Sequence, residues 1–250
     1  MSLLTVQNLC IRLDRREIVR NACFSVEEGL TVLLGRNGCG KSTLLRALLG
    51  VIPSAGEMRL REVDLHRLNA RRRARLIGYL PQRQSIPSGM RVIDYVALGA
   101  SPESGLFSPP GQDALSRAEK LLDEMRLCVL SSRPMDRLSG GEARLVALCR
   151  LRMQNSLLSL MDEPLSSLDY ARAHEFLSDL RRRKENALLS LHDPSLAWQY
   201  ADRILLMRDG QVVCLNREDL TSCERMLQSV YGPQLRFETV GNHALPLWQQ

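Results

Sequence analysis

The run Gly35-Arg36-Asn37-Gly38-Cys39-Gly40-Lys41-Ser42-Thr43 has residue types and a spacing suited to one kind of chemistry. It fits G-x-x-x-x-G-K-[ST]. Gly35, Gly38 and Gly40 let a main chain wrap a phosphate group closely and aim its N–H groups inward. The amides that open a following helix add partial positive charge. Lys41 has the reach to meet β- and γ-phosphate oxygens, and the Ser42 hydroxyl can ligate Mg²⁺. A glycine-rich turn without a ligand is the plain alternative. The apolar run before the loop and the helical pattern after it argue against that alternative. Cys39 falls at a tolerant position, with a regulatory thiol as the lesser reading.

A second candidate is the carboxylate pair Asp162-Glu163, which ends the apolar run Leu157-Leu158-Ser159-Leu160-Met161. Adjacent strand residues point to opposite sides, but at a strand's end the chain turns and both can face one crevice. In an open parallel sheet that crevice lies at the carboxyl ends of the strands, beside a phosphate loop. Asp162 then suits Mg²⁺ through water, and Glu163 suits a general base acting on a water molecule. Taken alone, the pair reads equally well as a solvated strand end.

These groups need a sheet to position them, and the sequence supplies one. Residues 30–34 form a buried strand between Gly29 and Gly35, and residues 42–49 a helix that stops at Gly50. Strands are expected at 4–6, 22–26, 77–80, 157–161, 187–191 and 203–207. Helices are expected at 113–127, 142–153, 171–183 and 196–201. Proline and glycine make 101–111 a loop. Regular alternation implies an α/β fold with a mostly parallel sheet covered on both faces. The chain is expected to be a single domain over 1–250, with a helical insert at about 87–152 and a short tail at 231–250 that adds a small strand pair.

The sequence has 250 residues, 34 Lys+Arg against 28 Asp+Glu, and 44% apolar residues. That composition excludes a disordered or fibrous chain. The net charge of +6 suits an anionic partner without selecting one. No apolar run of spanning length and no leader segment is visible. Seven scattered cysteines read as free thiols.

With these residues in place, a further set becomes meaningful. Leu138-Ser139-Gly140-Gly141-Glu142 resembles the signature motif of ATP-binding cassette (ABC) ATPases. Gln82 in Tyr79-Leu80-Pro81-Gln82 resembles that family's Q-loop, Ser166-Ser167-Leu168-Asp169 its D-loop, and His192 its switch histidine. The motifs occur in family order from Val6 to about Val213. The resemblance implies a P-loop NTPase core with an antiparallel N-terminal β subdomain and a helical subdomain. It also implies ATP and Mg²⁺ as ligands. ATP would be bound between two copies arranged head to tail. Ser139, Gly140 and Gly141 of one copy would cap the γ-phosphate held by the other. Asp169 would contribute across the interface, Gln82 would touch Mg²⁺ or the attacking water, and His192 would hold the γ-phosphate.

The chain would then work with separate polytopic permease subunits at the cytoplasmic face of the membrane, and indirectly with a substrate-binding protein. Val92-Ile93-Asp94-Tyr95-Val96-Ala97-Leu98-Gly99 with Pro102, His192-Asp193-Pro194-Ser195-Leu196-Ala197, Tyr200-Ala201-Asp202-Arg203 and Ser229-Val230-Tyr231-Gly232 resemble ATPases of iron-siderophore, haem and vitamin B12 importers. Exporter and molybdate-type ATPases are the nearer rivals. A non-transport cassette acting on nucleic acid or ribosomes, and a regulatory subunit without activity, are the more distant ones.

Two departures from the family stand out. Leu13 and Asp14 occupy the stretch where an adenine-stacking aromatic is common, so weaker base discrimination is expected. Ala143-Arg144-Leu145-Val146 stands where a Gln-Arg pair is common. Arg71-Arg72-Arg73 with Arg75 reads as a solvated helix face, and Trp198 as packing. His66, His174 and His243 read as isolated.

Overall fold

The computed structural model describes residues 2–85, 88–100, 110–240 and 243–249. The expected loop at 101–111, Pro102 included, lies for the most part outside them, as does the side chain of His243. At its centre is strand β3 (Leu30–Leu34), buried along its whole length. β3 is flanked in parallel by β8 (Ala187–Ser190) and β9 (Arg203–Arg208). Beyond β8 lie β7 (Leu158–Met161) and β6 (Ile77–Leu80), also parallel. β10 (Gln211–Cys214) closes the other edge antiparallel to β9, giving the order β10-β9-β3-β8-β7-β6 among the described residues.

A strand buried on both faces must place successive apolar side chains in two different cores. Leu30, Val32, Leu34, Met161, Leu189, Ile204 and Leu206 enter one core, and Leu33, Leu160, Leu188, Leu205 and Met207 the other. Each such side chain is worth about 1.5–3 kcal/mol when removed from water. The sequence therefore has no freedom to slip register.

The second core is capped by an antiparallel sheet of β1 (Ser2–Leu13), β2 (Arg16–Glu27), β4 (Ala55–Leu60) and β5 (Val63–Asp64), in the order β2-β1-β4-β5. β1 and β2 are joined at Asp14-Arg15, both left-handed at φ 47° and 66°, which fits a two-residue hairpin turn. Both strands extend well past the short segments expected from sequence. Helix α1 (Lys41–Leu48) buries Leu44, Leu45, Ala47 and Leu48 against this core. α2 (Ala70–Leu76), capped by Asn69, leads into β6.

The first core is covered by α3 (Val92–Ala97), α4 (Gln112–Glu124), α5 (Gly140–Met153) and α6 (Tyr170–Arg182), which contribute Val96, Leu122, Leu148 and Leu177. α7 (Pro194–Tyr200) follows β8, and α8 (Leu220–Tyr231) leads to a hairpin of β11 (Leu235–Val240) and β12 (His243–Trp248). That hairpin is the strand pair expected at the tail.

The mostly parallel sheet and the N-terminal antiparallel sheet agree with expectation, and most element ends moved by one to three residues. α5 begins two residues early because Ser139 and Glu142 form a capping box. α7 begins early because Asp193 accepts the Ser195 and Leu196 N–H groups and Pro194 suits a first helical turn. α8 and β4 were not anticipated. α8 buries only Cys223, Leu227 and Val230, and β4 only Met58 and Leu60.

Three readings change. Arg73 is not on a solvated face: its guanidinium turns inward to the Leu48 and Leu65 carbonyls, while Arg71 and Arg72 stay exposed. His174 is not isolated, because its Nδ1 lies 2.7 Å from the Tyr200 hydroxyl. Trp198 is indeed packing, set edge-on to Phe237 under the Arg217 guanidinium.

Candidate functional site

The loop of residues 35–43 leaves the carboxyl end of β3 and enters α1 at Lys41. Glycine is required where neighbours crowd the main chain. A Cβ on Gly40, at φ 112°, would lie 2.6 Å from Ile18 Cγ2, and one on Gly35 would lie 2.7 Å from the Met207 carbonyl. Gly38 is left-handed at φ 75° with open space around it, so its need is conformational. Arg36, Asn37 and Gly38 form the exposed crest of the loop, with Ser42 and Thr43 half-buried at the helix start.

Lys41 is the buried centre of the loop at 5% exposure. Its ammonium donates to the Gly35 carbonyl at 2.7 Å and the Arg36 carbonyl at 3.1 Å. Burial pulls its pKa below the ordinary lysine value, opposed by Cys39, Glu163 and Asp162. Burial pushes the Cys39 thiol up, opposed by the Lys41 charge. A protonated thiol is a poor nucleophile.

The acid pair converges on the same place from β7. Asp162 is 1% exposed, and its Oδ1 accepts the Ser190 hydroxyl at 2.9 Å. The Tyr79 hydroxyl lies 3.5 Å from Oδ2, and the Tyr79 pKa is raised by burial and by the Asp162 charge. Glu163 turns the chain at φ 44°, a left-handed conformation that costs of order 1–3 kcal/mol for a non-glycine residue. After this turn both carboxylates lie near enough to Lys41 for their charges to oppose the fall in its pKa. The Glu163 N–H donates to Ser190 Oγ at 2.9 Å.

The Glu163 carboxylate is held on both sides. His192 Nε2 lies 2.6 Å from its Oε1, and Gln82 Nε2 donates to its Oε2 at 2.5 Å. His192 Nδ1 in turn stands 3.5 Å from the Lys41 ammonium. Lys41, His192, Glu163 and Gln82 thus form one connected row across the ends of β3, β8, β7 and β6.

Ser139, Gly140, Gly141 and Asp169 are placed differently. Ser139 caps α5, where the Ser139 N–H and hydroxyl both donate to Glu142 Oε2 at 2.8 Å. Those bonds hold the Glu142 carboxyl below its usual pKa. Asp169 caps α6 by accepting the Arg172 N–H at 2.9 Å. Ser139, Gly140 and Asp169 are exposed. Among the described residues, Ser139, Gly140 and Gly141 make no hydrogen bond to the loop of 35–43. A Cβ on Gly140 would meet only Ser167 Cβ, at an ordinary 3.5 Å. Packing within the chain therefore does not require glycine there.

The oxygen groups that would hold Mg²⁺ are the Ser42 hydroxyl at the start of α1, the Gln82 side-chain amide beside Glu163 and the Asp162 carboxylate at the end of β7. The described residues contain no cluster of three His, Cys, Asp or Glu able to hold a metal alone. A hard cation that keeps waters and shares phosphate oxygens takes such a sparse set.

Sequence reasoning missed four contributors. Ser190 ends an apolar strand as its one hydroxyl, and Arg144 is a charge amid Ala143, Val146 and Ala147 on a buried helix; both carry a local signal. Tyr79 sits one residue before the strand end. Tyr231, whose hydroxyl accepts the Gly35 N–H at 3.1 Å, carries no local signal as a site residue.

Comparison with known proteins places the chain. A family model described as ABC transporter matches residues 19–166. The haemin import ATP-binding protein HmuV of Burkholderia thailandensis is 30% identical over 268 residues, covering 98% of each chain. The achromobactin transport ATP-binding protein CbrD of Dickeya dadantii is 31% identical over 84% of this chain and 80% of its own. Among solved structures, a metal-chelate type ABC transporter in an inward-facing conformation superposes with a TM-score of 0.82. Its identity is 26%, and the match covers 100% of this chain and 99% of that one.

Proposed function

The chain belongs to the ABC transporter family of ATP-binding subunits, and from that premise we propose that it hydrolyses ATP to drive uptake of a metal chelate or corrinoid through separate membrane permease subunits. The observation that carries the reading is the Glu163 carboxylate fixed between His192 and Gln82, beside Lys41 of the phosphate loop. The class of cargo rests on the relatives, which are named for haemin and achromobactin transport and for a metal-chelate type transporter.

In this reading the loop of Gly35 to Thr43 wraps the triphosphate and offers it main-chain N–H groups other than that of Gly35, and Lys41 turns its ammonium to the β- and γ-phosphate oxygens. Ser42, Gln82 and Asp162 would hold Mg²⁺, which neutralises phosphate charge. Glu163 takes a proton from the attacking water, and His192 steadies the γ-phosphate and orients that water. This role is supported by the Glu163 carboxylate lying between His192 Nε2 and Gln82 Nε2 at the end of β7.

A second copy completes the site. Ser139 and Gly140 are exposed at the start of a helix, and Gly140 keeps that surface low although nothing inside the chain requires it. A phosphate held by another copy suits this surface. A two-fold pair would create two equal sites, with Asp169 reaching across. ATP closes such a pair only through its greater affinity for the closed state. The helical segment of about 87–152 and the Gln82 loop pass the motion to the permease. No described helix is long and apolar enough to cross a membrane, and a peripheral place at the cytoplasmic face follows from the reading as an importer's ATPase.

The test is phosphate release by the full chain, followed by recovery of its partners from membranes. ATP hydrolysis together with a co-purifying polytopic membrane protein supports the reading. Binding to nucleic acid at physiological salt in place of a membrane partner favours the non-transport reading. Absence of phosphate release favours a regulatory subunit.

A further inference from the structure

Helix α5 carries two groups of different character. At its start, Ser139 and Gly140 are exposed and Gly141 is half-buried. Five residues on, about 7.5 Å along the axis, Arg144 is 4% exposed in the interior of the molecule. Its guanidinium is spread over three main-chain carbonyls. Nε donates to Pro164 at 2.9 Å, Nη1 to Pro81 at 2.5 Å and Nη2 to Asp162 at 2.9 Å. Burial lowers its pKa to about 10, opposed by the charges of Asp162, Tyr79 and Glu163, so the group stays cationic near neutral pH.

These carbonyls belong to the two segments that aim the site. Pro81 precedes Gln82. Asp162 and Pro164 stand on either side of Glu163, whose main chain is left-handed and needs its surroundings to keep it so. The Ser190 hydroxyl takes the Glu163 N–H, and Arg144 takes the carbonyls before and after. A planar fork can bind three carbonyls in fixed directions; an ammonium on a flexible stem cannot.

We infer that Arg144 is a positioning residue that sets the Glu163 turn and the Gln82 loop, and that through it α5 links the phosphate capped by its first turn to the phosphate hydrolysed in its own chain. The inference rests on the reading of the chain as a paired ATPase. It gives a use to the departure at Ala143-Arg144-Leu145-Val146. Arg144 touches no reacting atom. It acts by holding the direction of groups that do. A small tilt of α5 as its first turn engages a phosphate would be felt at once by Pro81, Asp162 and Pro164.

The test compares the full chain with Arg144→Lys and Arg144→Gln. Each is measured for phosphate release across ATP concentrations, for equilibrium binding of a fluorescent ATP analogue, and for thermal unfolding. The expected result is a fall in kcat of tenfold or more, with the Kd for the analogue and the KM for ATP within twofold of the unaltered chain. A smaller fall in kcat, or a parallel loss of ATP affinity, overturns the inference, because a merely structural role would move both together. If Arg144→Gln does not fold, Arg144→Lys, which keeps the charge and loses the fork, decides. Failure of the unaltered chain to release phosphate strikes the ATPase reading and this inference with it, whereas an active unaltered chain with unimpaired variants strikes the inference alone.

Discussion

The Tyr231 hydroxyl accepts the Gly35 N–H at 3.1 Å, which ties the last turn of α8 to the first residue of the phosphate loop. Trp248 of the final strand stands edge-on to the Tyr231 ring, with centroids 6.3 Å apart. The same hairpin is fastened to α7, where Ser195 Oγ donates to the Pro246 carbonyl. α7 begins two residues after His192. The C-terminal segment therefore braces the loop that holds phosphate and the helix that follows the histidine.

Tyr231→Phe removes the acceptor and leaves the buried Gly35 N–H unpaired. The cost of an orphaned buried donor is about 1–3 kcal/mol. Urea unfolding should show that loss, with a raised KM for ATP. An unchanged midpoint and KM would remove Tyr231 as a brace.

Glu163→Gln keeps the size of the side chain and loses the base. Nucleotide binding should persist while hydrolysis falls below roughly a tenth of the normal rate, a threshold well inside the hundredfold or more that a general base contributes. The variant should also run as a dimer in size exclusion with ATP present. Faster turnover would remove Glu163 as the base.

Lys41→Ala deletes charged hydrogen bonds to phosphate, each worth about 1.5–3 kcal/mol. Nucleotide affinity should fall by roughly ten- to a hundredfold, read by titration with a fluorescent analogue. Retained affinity would contradict the phosphate-loop reading.

GTP should support hydrolysis within roughly tenfold of ATP. Leu13 closes β1 and Asp14 enters the turn where an aromatic stack is expected, and such stacking contributes about 1–3 kcal/mol per base. A larger preference for ATP, measured as a ratio of kcat/KM, would point to base contacts from another part of the chain.

Asp179 contributes to the pH dependence of stability. Its burial disfavours the charge, but bonds from Arg152, Arg182 and Arg183 outweigh that and hold its pKa below the ordinary aspartate value. Its stabilisation is complete above that ordinary value and is lost as pH falls through the lower, folded value. Asp179→Asn should therefore destabilise the chain near neutral pH by about 1.5–3 kcal/mol. The gap to the unaltered chain should narrow in acid. Urea midpoints across pH test this, and a gap independent of pH would refute it.

Several parts of this molecule can be read directly from local pattern. The phosphate loop is visible because the strand, the glycines and the helix lie side by side in the chain. The central strands are visible because a sheet buried on both faces demands unbroken apolar runs, as at Leu30 to Leu34. α8 was harder, since only Cys223, Leu227 and Val230 mark its buried face.

What the sequence determined by itself was the inventory: a phosphate cradle, a pair of acids at a strand end, and a histidine and a glutamine each following a strand. What only the tertiary structure decided was how those groups are held. Arg144 meets Pro81 across 63 residues and Asp162 across 18, and Tyr231 meets Gly35 across 196. Contacts of that range leave no periodic trace. Another residue at either position would keep the local helix intact, so only packing reveals what the side chain reaches.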